Sequence, residues 1–313
     1  MTVCVASPYP LTDLKGNSVT TRRVVEILNE GGMEARASHG YDGKPADVLI
    51  SLHAVKGAQT VLDYKESHPE GKVVVLITGT DIYQSLPKGS DLGERALEQA
   101  SAIVVVFERA IQSLAPRWRD KTVVIPASLD PIGVKAEPVC PPFAISVVGH
   151  LREVKRPFMA IEAVSRHPDW TDVEVWQLGG ALNKEHAEQA REWEQRDSRY
   201  RWFGGLPRNE SLALCAKSSL TVNSSILEGG ANAVLEAMTM GVPVLASRIE
   251  GNLGLLGEGH GGYFDERMDE VLEQVMEDRE IPAIWARAAM ERLPLFSRER
   301  ESRCWLELLE KFS

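Results

Sequence analysis

Residues 220–247 have the sequence LTVNSSILEGGANAVLEAMTMGVPVLAS, in which two short apolar runs, LTVNSS and VPVLAS, enclose a segment with helical spacing. Gly241 and Pro243 follow the helical segment and end it, because glycine favours the helix C-terminus and proline cannot continue the helix. Four apolar residues form the buried stripe of this helix at positions i, i+3, i+4 and i+7, namely Ala231, Val234, Leu235 and Met238. The order of strand, helix and strand predicts a βαβ unit.

The same alternation of short apolar runs and amphipathic segments continues on both sides of this unit. The runs are continuously apolar, which is typical of parallel strands that helices cover on both faces. They predict an α/β fold with two doubly wound, Rossmann-like domains that face a cleft. The other predicted strands lie at residues 2–7, 47–53, 72–78, 101–107, 122–127, 143–150, 172–180 and 200–204.

A proline-rich segment separates the two halves of the chain. Residues 130–142, DPIGVKAEPVCPP, contain four prolines, which cannot serve a central strand and stiffen an extended connection. We therefore predict a first domain at residues 1–138 and a second at 139–313. The second includes a terminal amphipathic helix at 297–312, whose apolar stripe must dock on a partner that the sequence does not identify.

Composition narrows the class of protein. The 313 residues are 43% hydrophobic and 26% charged, as in ordinary globular proteins. The formal net charge of −10 argues against a broad nucleic-acid or anionic-membrane surface. The four cysteines have no CxxC spacing and no apolar run approaches the length of a membrane helix, so we expect a cytoplasmic protein. No DxD, HExxH, GxSxG or Walker A motif occurs, and we expect no metal requirement.

Ligands of open α/β sheets bind at the carboxyl ends of the strands, and this rule selects the candidate residues. Gly16 and Asn17 precede the first helix and can offer backbone N–H groups to an anion, although a simple capped turn fits equally well. Arg152 and Lys155, three residues apart on one turn, can clamp a diphosphate, with an exposed basic pair as the alternative. In the first half the rule also selects His53, Thr80 and Asp81.

The polar residues of the opening stretch suit a sugar ligand. Gly229, Gly230 and Ala231 carry almost no side chain, so a ligand can approach the positive end of the helix closely. Asn232 and Glu236 are i and i+4 on a face away from the buried stripe, and Glu228 immediately precedes the glycines. Carboxylates accept hydrogen bonds from two hydroxyls at once, which favours recognition of sugars.

These residues resemble the E-x7-E element and the Arg/Lys clamp of the retaining glycosyltransferases of family 4, which have the GT-B fold. The resemblance implies a glycosyltransferase that binds a UDP-sugar on its second domain and an acceptor on its first, without a metal or other cofactor. It implies that Arg152 and Lys155 hold the diphosphate, with Gly16 and Asn17 closing from the first domain. Residues 229–232 would contact the phosphate and the sugar, and Glu236 would bind the ribose. The catalytic residues Glu228 and His53 would lie at the transferred sugar.

Five segments are similar to the selenosugar synthases of selenoneine biosynthesis, namely LISLHAVKGA, VLITGTDIY, VVGHLREVKRP, EGGANAVLEAM and SRIEGNLGLLGEGHGGYF. This narrower resemblance implies that UDP-N-acetylglucosamine and selenophosphate are joined through a carbon–selenium bond. Glu-Gly-Gly-Ala-Asn replaces the commoner pattern of Glu-Gly or Glu-Ser followed by Phe-Gly, which disfavours an ordinary hydroxyl acceptor.

The sequence offers several candidate residues for the acceptor and two alternative functions. Lys15, Arg22 and Lys56 are candidates to bind selenophosphate, and Thr80 and Asp81 also lie on the acceptor side. The alternatives are a glycosyltransferase with a hydroxyl acceptor and a sugar-nucleotide-binding protein without activity. The sequence does not define an oligomeric state.

Overall fold

The computed structural model describes residues 1–12, 16–129 and 132–312. The chain forms two compact units, one consisting of Met1–Ser128 with Leu295–Ser313 and the other of Leu129–Pro294. Each unit has its own six-stranded parallel sheet and its own hydrophobic core, which confirms the predicted α/β class. Among the described residues, no helix has the length and apolar character needed to cross a membrane.

The first unit has the spatial strand order β2-β1-β3-β4-β5-β6. Its strands are β1 (Thr2–Ser7), β2 (Glu34–His39), β3 (Val48–Leu52), β4 (Lys72–Leu76), β5 (Ala102–Val105) and β6 (Thr122–Val124). Its connecting helices are α1 (Gly16–Glu30), α2 (Ala58–Ser67), α3 (Asp91–Gln99), α4 (Glu108–Gln112) and α5 (Pro116–Arg119), with a π-helical turn at Asp81–Ser85.

Helices cover both faces of this sheet, and the strands are apolar on both sides for that reason. Along β1, Val3 and Val5 join a buried cluster with Ile27 of α1, whereas Cys4 joins the cluster with Tyr64 of α2. The sequence did not predict β2, whose residues EARASH are mostly polar. This strand lies at the edge of the sheet, where one face needs no apolar cover.

The second unit has the spatial strand order β12-β11-β10-β7-β8-β9. Its strands are β7 (Phe143–Val148), β8 (Val173–Leu178), β9 (Tyr200–Trp202), β10 (Leu220–Asn223), β11 (Val244–Ser247) and β12 (Tyr263–Phe264). Its helices are α6 (Met159–Ser165), α7 (Lys184–Arg196), α8 (Arg208–Ala216), α9 (Asn232–Met240), α10 (Glu250–Leu256), α11 (Met268–Glu277) and α12 (Ile281–Met290).

The predicted βαβ unit of residues 220–247 is confirmed as β10, α9 and β11. Strands β10 and β11 are adjacent and parallel, with Thr221 opposite Val244. Gly241 ends α9 at a φ of +82°, in the left-handed region that glycine adopts readily. The strand ends at Asn223 and the helix begins at Asn232, so residues 224–231 form a loop at the carboxyl edge of the sheet.

The division into units differs from the predicted bounds of 1–138 and 139–313 at both ends. Residues 136–139 belong to the second unit because their backbone bonds to it, for example from Ala136 N to Met240 O at 2.8 Å. The terminal helix α13 (Arg298–Glu310) belongs to the first unit, not the second. Its residues Trp305, Leu308 and Leu309 share the core that contains Ile27 of α1.

Candidate functional site

In the second unit, two loops at the carboxyl edge of the sheet are joined by an ion pair. Lys155 ends a short 3₁₀ turn, Glu153–Lys155, that follows β7, and Glu228 lies in the loop that follows β10. The Lys155 ammonium contacts Oε1 of Glu228. Ser225 donates to the same carboxylate oxygen at 2.7 Å, so both a hydroxyl and a cation hold Glu228 in place.

The backbone of these loops is held by a second set of contacts. The Ser224 hydroxyl lies 2.8 Å from the carbonyl oxygen of Lys155 and 2.9 Å from that of Arg156, so its one hydrogen is shared between these two acceptors. Arg156 Nε donates in return to Ser224 O at 2.6 Å. Arg156 has a φ of +43°, a strained conformation that these contacts offset. Burial lowers the pKa of its guanidinium.

Arg152 and Lys155 differ in their surroundings although they are only three residues apart. Arg152 is the residue before the 3₁₀ turn and its side chain is exposed, whereas Lys155 is partly buried against Glu228. The two basic groups are therefore close in sequence, but within the described part of the chain only Lys155 has an ion-pair partner that fixes its position. Arg152 has the freedom to approach an anion at the same edge.

The N-terminus of α9 lies beside Glu228. Ala231 is the residue before α9, and no side chain of the described residues forms a capping hydrogen bond with the first-turn N–H groups. Gly230 has a φ of +150°, which only glycine adopts readily. These N–H groups and the positive end of the helix dipole are suited to an anionic ligand. Asn232, the first residue of α9, is exposed at this end of the helix.

Glu236 lies one turn further along α9 and forms an ion pair with Arg208, the first residue of α8. Arg208 Nε donates to Glu236 Oε1 at 2.9 Å. Burial raises the pKa of Glu236, and the Arg208 charge opposes that shift. Arg208 could not be selected from the sequence, because α8 follows a strand of three residues and no motif marks its first turn.

In the first unit, the end of β3 carries a buried histidine. His53 has a φ of +72° and its Nδ1 lies 2.5 Å from Oδ1 of Asp81. A contact this short between a ring nitrogen and a carboxylate requires a hydrogen between them, so we assign the hydrogen to Nδ1. With its hydrogen in place, Nδ1 cannot accept a hydrogen bond from the backbone N–H of Lys56, which lies 3.2 Å away. Nε2 faces the Thr80 hydroxyl at 3.3 Å.

Asp81 does not have the position expected of an acceptor ligand. Its side chain is fully buried, and it accepts hydrogen bonds from the backbone N–H groups of Ala54, Val55 and Thr78 at 3.0, 3.1 and 3.0 Å. With these contacts and His53, the carboxylate has no room for a substrate. Asp81 therefore orients His53, while Thr80 is exposed beside Nε2.

The remaining candidates of the first unit lie near the segment that follows β1. Arg22 of α1 donates to the carbonyl oxygen of Leu11 at 2.5 Å, and Lys56 donates to the Tyr9 hydroxyl at 2.5 Å. Gly16 and Asn17 are the first two residues of α1, where Gly16 is exposed. Lys15 lies outside the described residues. The described part of the chain contains no group of three metal-ligating side chains.

Residues 136–292 match the family model "Glycosyl transferases group 1". The architecture of two parallel sheets is that of the GT-B fold, as the sequence resemblance implied. The match begins where the linker joins the second unit and includes both ion pairs described above.

Solved structures resemble the whole chain rather than the second unit alone. Anabaena Alr3699/HepE in complex with UDP and glucose has a TM-score of 0.77 at 15% identity, covering 99% of this chain and 100% of that one. Sucrose-phosphate synthase (tll1590) from Thermosynechococcus elongatus has a TM-score of 0.82 at 12% identity, covering 99% and 98%. A glycosyltransferase from Rickettsia africae ESF-5 has a TM-score of 0.75 at 16% identity, covering 99% and 98%.

Proposed function

The chain belongs to the glycosyl transferases group 1 family, and we propose that it transfers a sugar from a UDP-linked donor bound by the second unit. The observation that carries this proposal is the pair of half-buried carboxylates, Glu228 and Glu236, on either side of the uncapped N-terminus of α9. A nucleotide sugar presents hydroxyls, a diphosphate and a ribose in that order. The similarity to HepE, which was crystallised with UDP-glucose, supports the same donor class.

The diphosphate would be bound by positive groups that already surround this loop. We assign it to Lys155, the exposed Arg152 and the N–H groups at the start of α9, including Gly229 and Gly230. In the free protein Glu228 neutralises Lys155. A diphosphate competes for the ammonium, which then stabilises the negative charge that develops on UDP as the bond between sugar and phosphate breaks.

The two carboxylates would have separate tasks. Glu228, held by Ser225, accepts hydrogen bonds from hydroxyls of the transferred sugar. Glu236 accepts hydrogen bonds from the ribose, and Asn232 and Ala231 lie between the two positions. Gly16 and Asn17, at the N-terminus of α1, are our candidates for a phosphate contact from the first unit.

For the acceptor, we propose selenophosphate, with UDP-N-acetylglucosamine as the donor and a 1-seleno-sugar of selenoneine biosynthesis as the product. Selenium attacks the anomeric carbon, the carbon–selenium bond forms, and the carbon–oxygen bond to UDP breaks with its electron pair. Water then hydrolyses the selenium–phosphorus bond, which releases the 1-seleno-sugar and inorganic phosphate. Five segments that are similar to selenosugar synthases support this choice. A soft selenium nucleophile also needs little general-base assistance. Arg22 and Lys56, with Lys15, are the candidates to bind its phosphate group.

One observation favours a hydroxyl acceptor as the second candidate. Asp81 fixes the hydrogen of His53 on Nδ1, which leaves Nε2 as a proton acceptor beside Thr80. A hydroxyl nucleophile must lose a proton during transfer, and an oriented imidazole is suited to accept it. Selenophosphate has no such need.

Purified full-length protein incubated with UDP-N-acetylglucosamine, with and without selenophosphate, separates these possibilities. Chromatography measures UDP, and mass spectrometry measures the selenosugar. We expect selenium-dependent release of UDP together with a product that contains selenium. UDP release only with a hydroxyl acceptor such as glucose would replace the first candidate with the second, and binding of UDP without turnover would indicate a non-catalytic protein.

Glu228→Gln tests the site within the same assay. We expect turnover to fall by about 100-fold, because the neutral amide cannot replace the charge that pairs with Lys155 and orients the sugar. Glu153→Gln is the matched control, since Glu153 is an exposed carboxylate on the neighbouring 3₁₀ turn. Equal kinetics for the two variants would contradict a role of Glu228 in the reaction.

A further inference from the structure

The ion pair between Arg208 and Glu236 uses only one carboxylate oxygen. Nε of Arg208 donates to Oε1 of Glu236 at 2.9 Å, and Nη2 lies 2.8 Å from the same oxygen. No hydrogen bond joins Oε2 to a residue in the described part of the chain. Arg208 therefore fixes the orientation of the carboxylate while Oε2 is left for another donor.

The two side chains have very different exposure. The Glu236 side chain is 15% exposed and that of Arg208 is 58% exposed. Burial disfavours the charged carboxylate and raises its pKa, and Arg208 is the group that lowers it. Among the described residues, the other titratable group that interacts with Glu236 is Cys215 of α8. Burial raises the pKa of this thiol, so it brings no compensating positive charge. The ionised form of Glu236 thus depends on Arg208.

The stability of α8 does not explain why an arginine occupies this position. Arg208 is the first residue of α8, where the helix dipole disfavours a positive charge. Glu210 already supplies an acidic group in the first turn. An arginine here has a small cost for the helix, and its observed contact is with α9 instead.

We infer that Arg208 is a positioning residue for the donor, which keeps Glu236 ionised and turns Oε2 toward the two ribose hydroxyls. This inference rests on the proposed function, in which Glu236 binds the ribose. An ionised oxygen can accept from both vicinal hydroxyls, whereas a protonated carboxyl group must donate its own hydrogen and accepts more weakly. Arg208 acts through Glu236 and touches no substrate itself.

The chain offers a closely matched control pair. Arg201 of β9 and Glu174 of β8 are 58% and 18% exposed, and Arg201 Nη2 lies 2.7 Å from Glu174 Oε1. This pair has the same chemistry and nearly the same burial as Arg208 and Glu236, but it belongs to the edge strand β9 and its neighbour β8. Arg201→Gln therefore removes an equivalent arginine without touching the proposed donor site.

The experiment measures UDP affinity by calorimetry on the full chain between about pH 5.5 and about pH 8.5, with the Glu236 carboxyl carbon followed by NMR. We expect Arg208→Gln to weaken UDP binding about tenfold near neutral pH, equivalent to about 1.4 kcal/mol. The pH midpoint of binding and the pKa of Glu236 should both move upward. Arg208→Lys should restore most of the affinity, and Arg201→Gln should have no effect.

A double-mutant cycle completes the test. In a Glu236→Ala background, Arg208→Gln should weaken UDP binding no further. If the pKa of Glu236 were unchanged in Arg208→Gln, the inference about Arg208 would be overturned. Binding of UDP by the wild-type protein would still uphold the proposed function in that case. Tighter UDP binding by Arg208→Gln would also overturn it, because Arg208 would then compete with the ribose. Absence of UDP binding by the wild type would overturn the proposed function and the donor role of Arg208 with it.

Discussion

Nδ1 of His53 lies 2.5 Å from Oδ1 of Asp81, and both side chains are almost fully buried. The carboxylate also accepts the backbone N–H groups of Ala54, Val55 and Thr78, so it joins the turn after β3 to the turn after β4. His53 has a left-handed backbone conformation that non-glycine residues adopt at a cost. Asp81 offsets this cost and determines which ring nitrogen of His53 carries the hydrogen.

Asp81→Asn should destabilise the first unit and impair turnover. An asparagine side chain has one acceptor oxygen, so its NH₂ group would face backbone N–H donors and leave them unsatisfied. We expect a loss of about 3 kcal/mol in the free energy of unfolding, measured by urea denaturation. We also expect at least a tenfold fall in kcat, since His53 loses its orientation.

Asp91→Asn is the control for this variant. Asp91 is exposed in the first turn of α3, and its replacement should change stability by less than about 0.5 kcal/mol. The interpretation would fail if Asp81→Asn kept the stability and kcat of the wild type. Calorimetry of UDP binding should give nearly the same affinity for both variants, because the proposed donor residues other than Gly16 and Asn17 belong to the second unit.

The sequence predicted those strands and helices whose pattern of apolar residues matches their burial in the fold. The run of 220–247 predicted β10, α9 and β11, because a strand buried on both faces must be apolar and a helix beside it needs one apolar stripe. The carboxyl-end rule then placed Glu228, Lys155 and His53 at the correct edges of their sheets.

Long-range partners could not be predicted in the same way. The stripe of α13 is visible in the sequence, but nothing local shows that it packs on α1, about 280 residues away in the chain. Asp81 lies in a polar segment that is typical of an exposed turn. Only the fold reveals that three backbone N–H groups converge on its carboxylate. Arg208 was missed because its partner lies on a different helix.

Gly251→Ala should disturb Glu228 without weakening α10. A Cβ atom at Gly251 would lie 2.3 Å from the carbonyl oxygen of Glu228, so the loop that carries Glu228 must move. Alanine is a better helix former than glycine, so a loss of helix propensity cannot explain any effect. We expect kcat to fall about tenfold in the UDP-release assay.

Gly259→Ala provides the comparison for that variant. Gly259 is exposed, and no atom lies within 4 Å of the Cβ that alanine would add. Its kcat should equal that of the wild type. If Gly251→Ala also had wild-type kcat, the position of Glu228 would not matter for turnover.

The second unit should lose stability in mild acid because of His260. His260 is buried, Nε2 donates to Val244 O at 2.8 Å, and Nδ1 has no partner among the described residues. Burial lowers the pKa of His260 below its ordinary value of 6.5. The unfolded chain therefore binds a proton near pH 6.5 that the folded unit does not yet bind, so stability falls as the pH drops from there through the lowered pKa.

Urea midpoints measured between about pH 7.5 and about pH 5 test this prediction. His260→Gln can keep the donor to Val244 and removes the titration, so its midpoint should depend less on pH than that of the wild type. His39→Gln, at an exposed position, should retain the full dependence. Equal slopes for His260→Gln and the wild type would show that other groups cause the acid sensitivity.

Trp305→Ala should destabilise the first unit selectively, although Trp305 lies close to the end of the chain. Its side chain is 1% exposed in the core shared with α1, and removal of a buried tryptophan costs about 3–5 kcal/mol. Glu307→Ala, on the exposed face of α13, should cost less than about 0.5 kcal/mol. In hydrogen-exchange measurements on Trp305→Ala, the backbone amides of β1 and α1 should lose protection, whereas those of β7 and β10 should retain it. Loss of protection confined to the second unit would contradict this assignment of α13, because a helix contributes its burial energy to the core it fills.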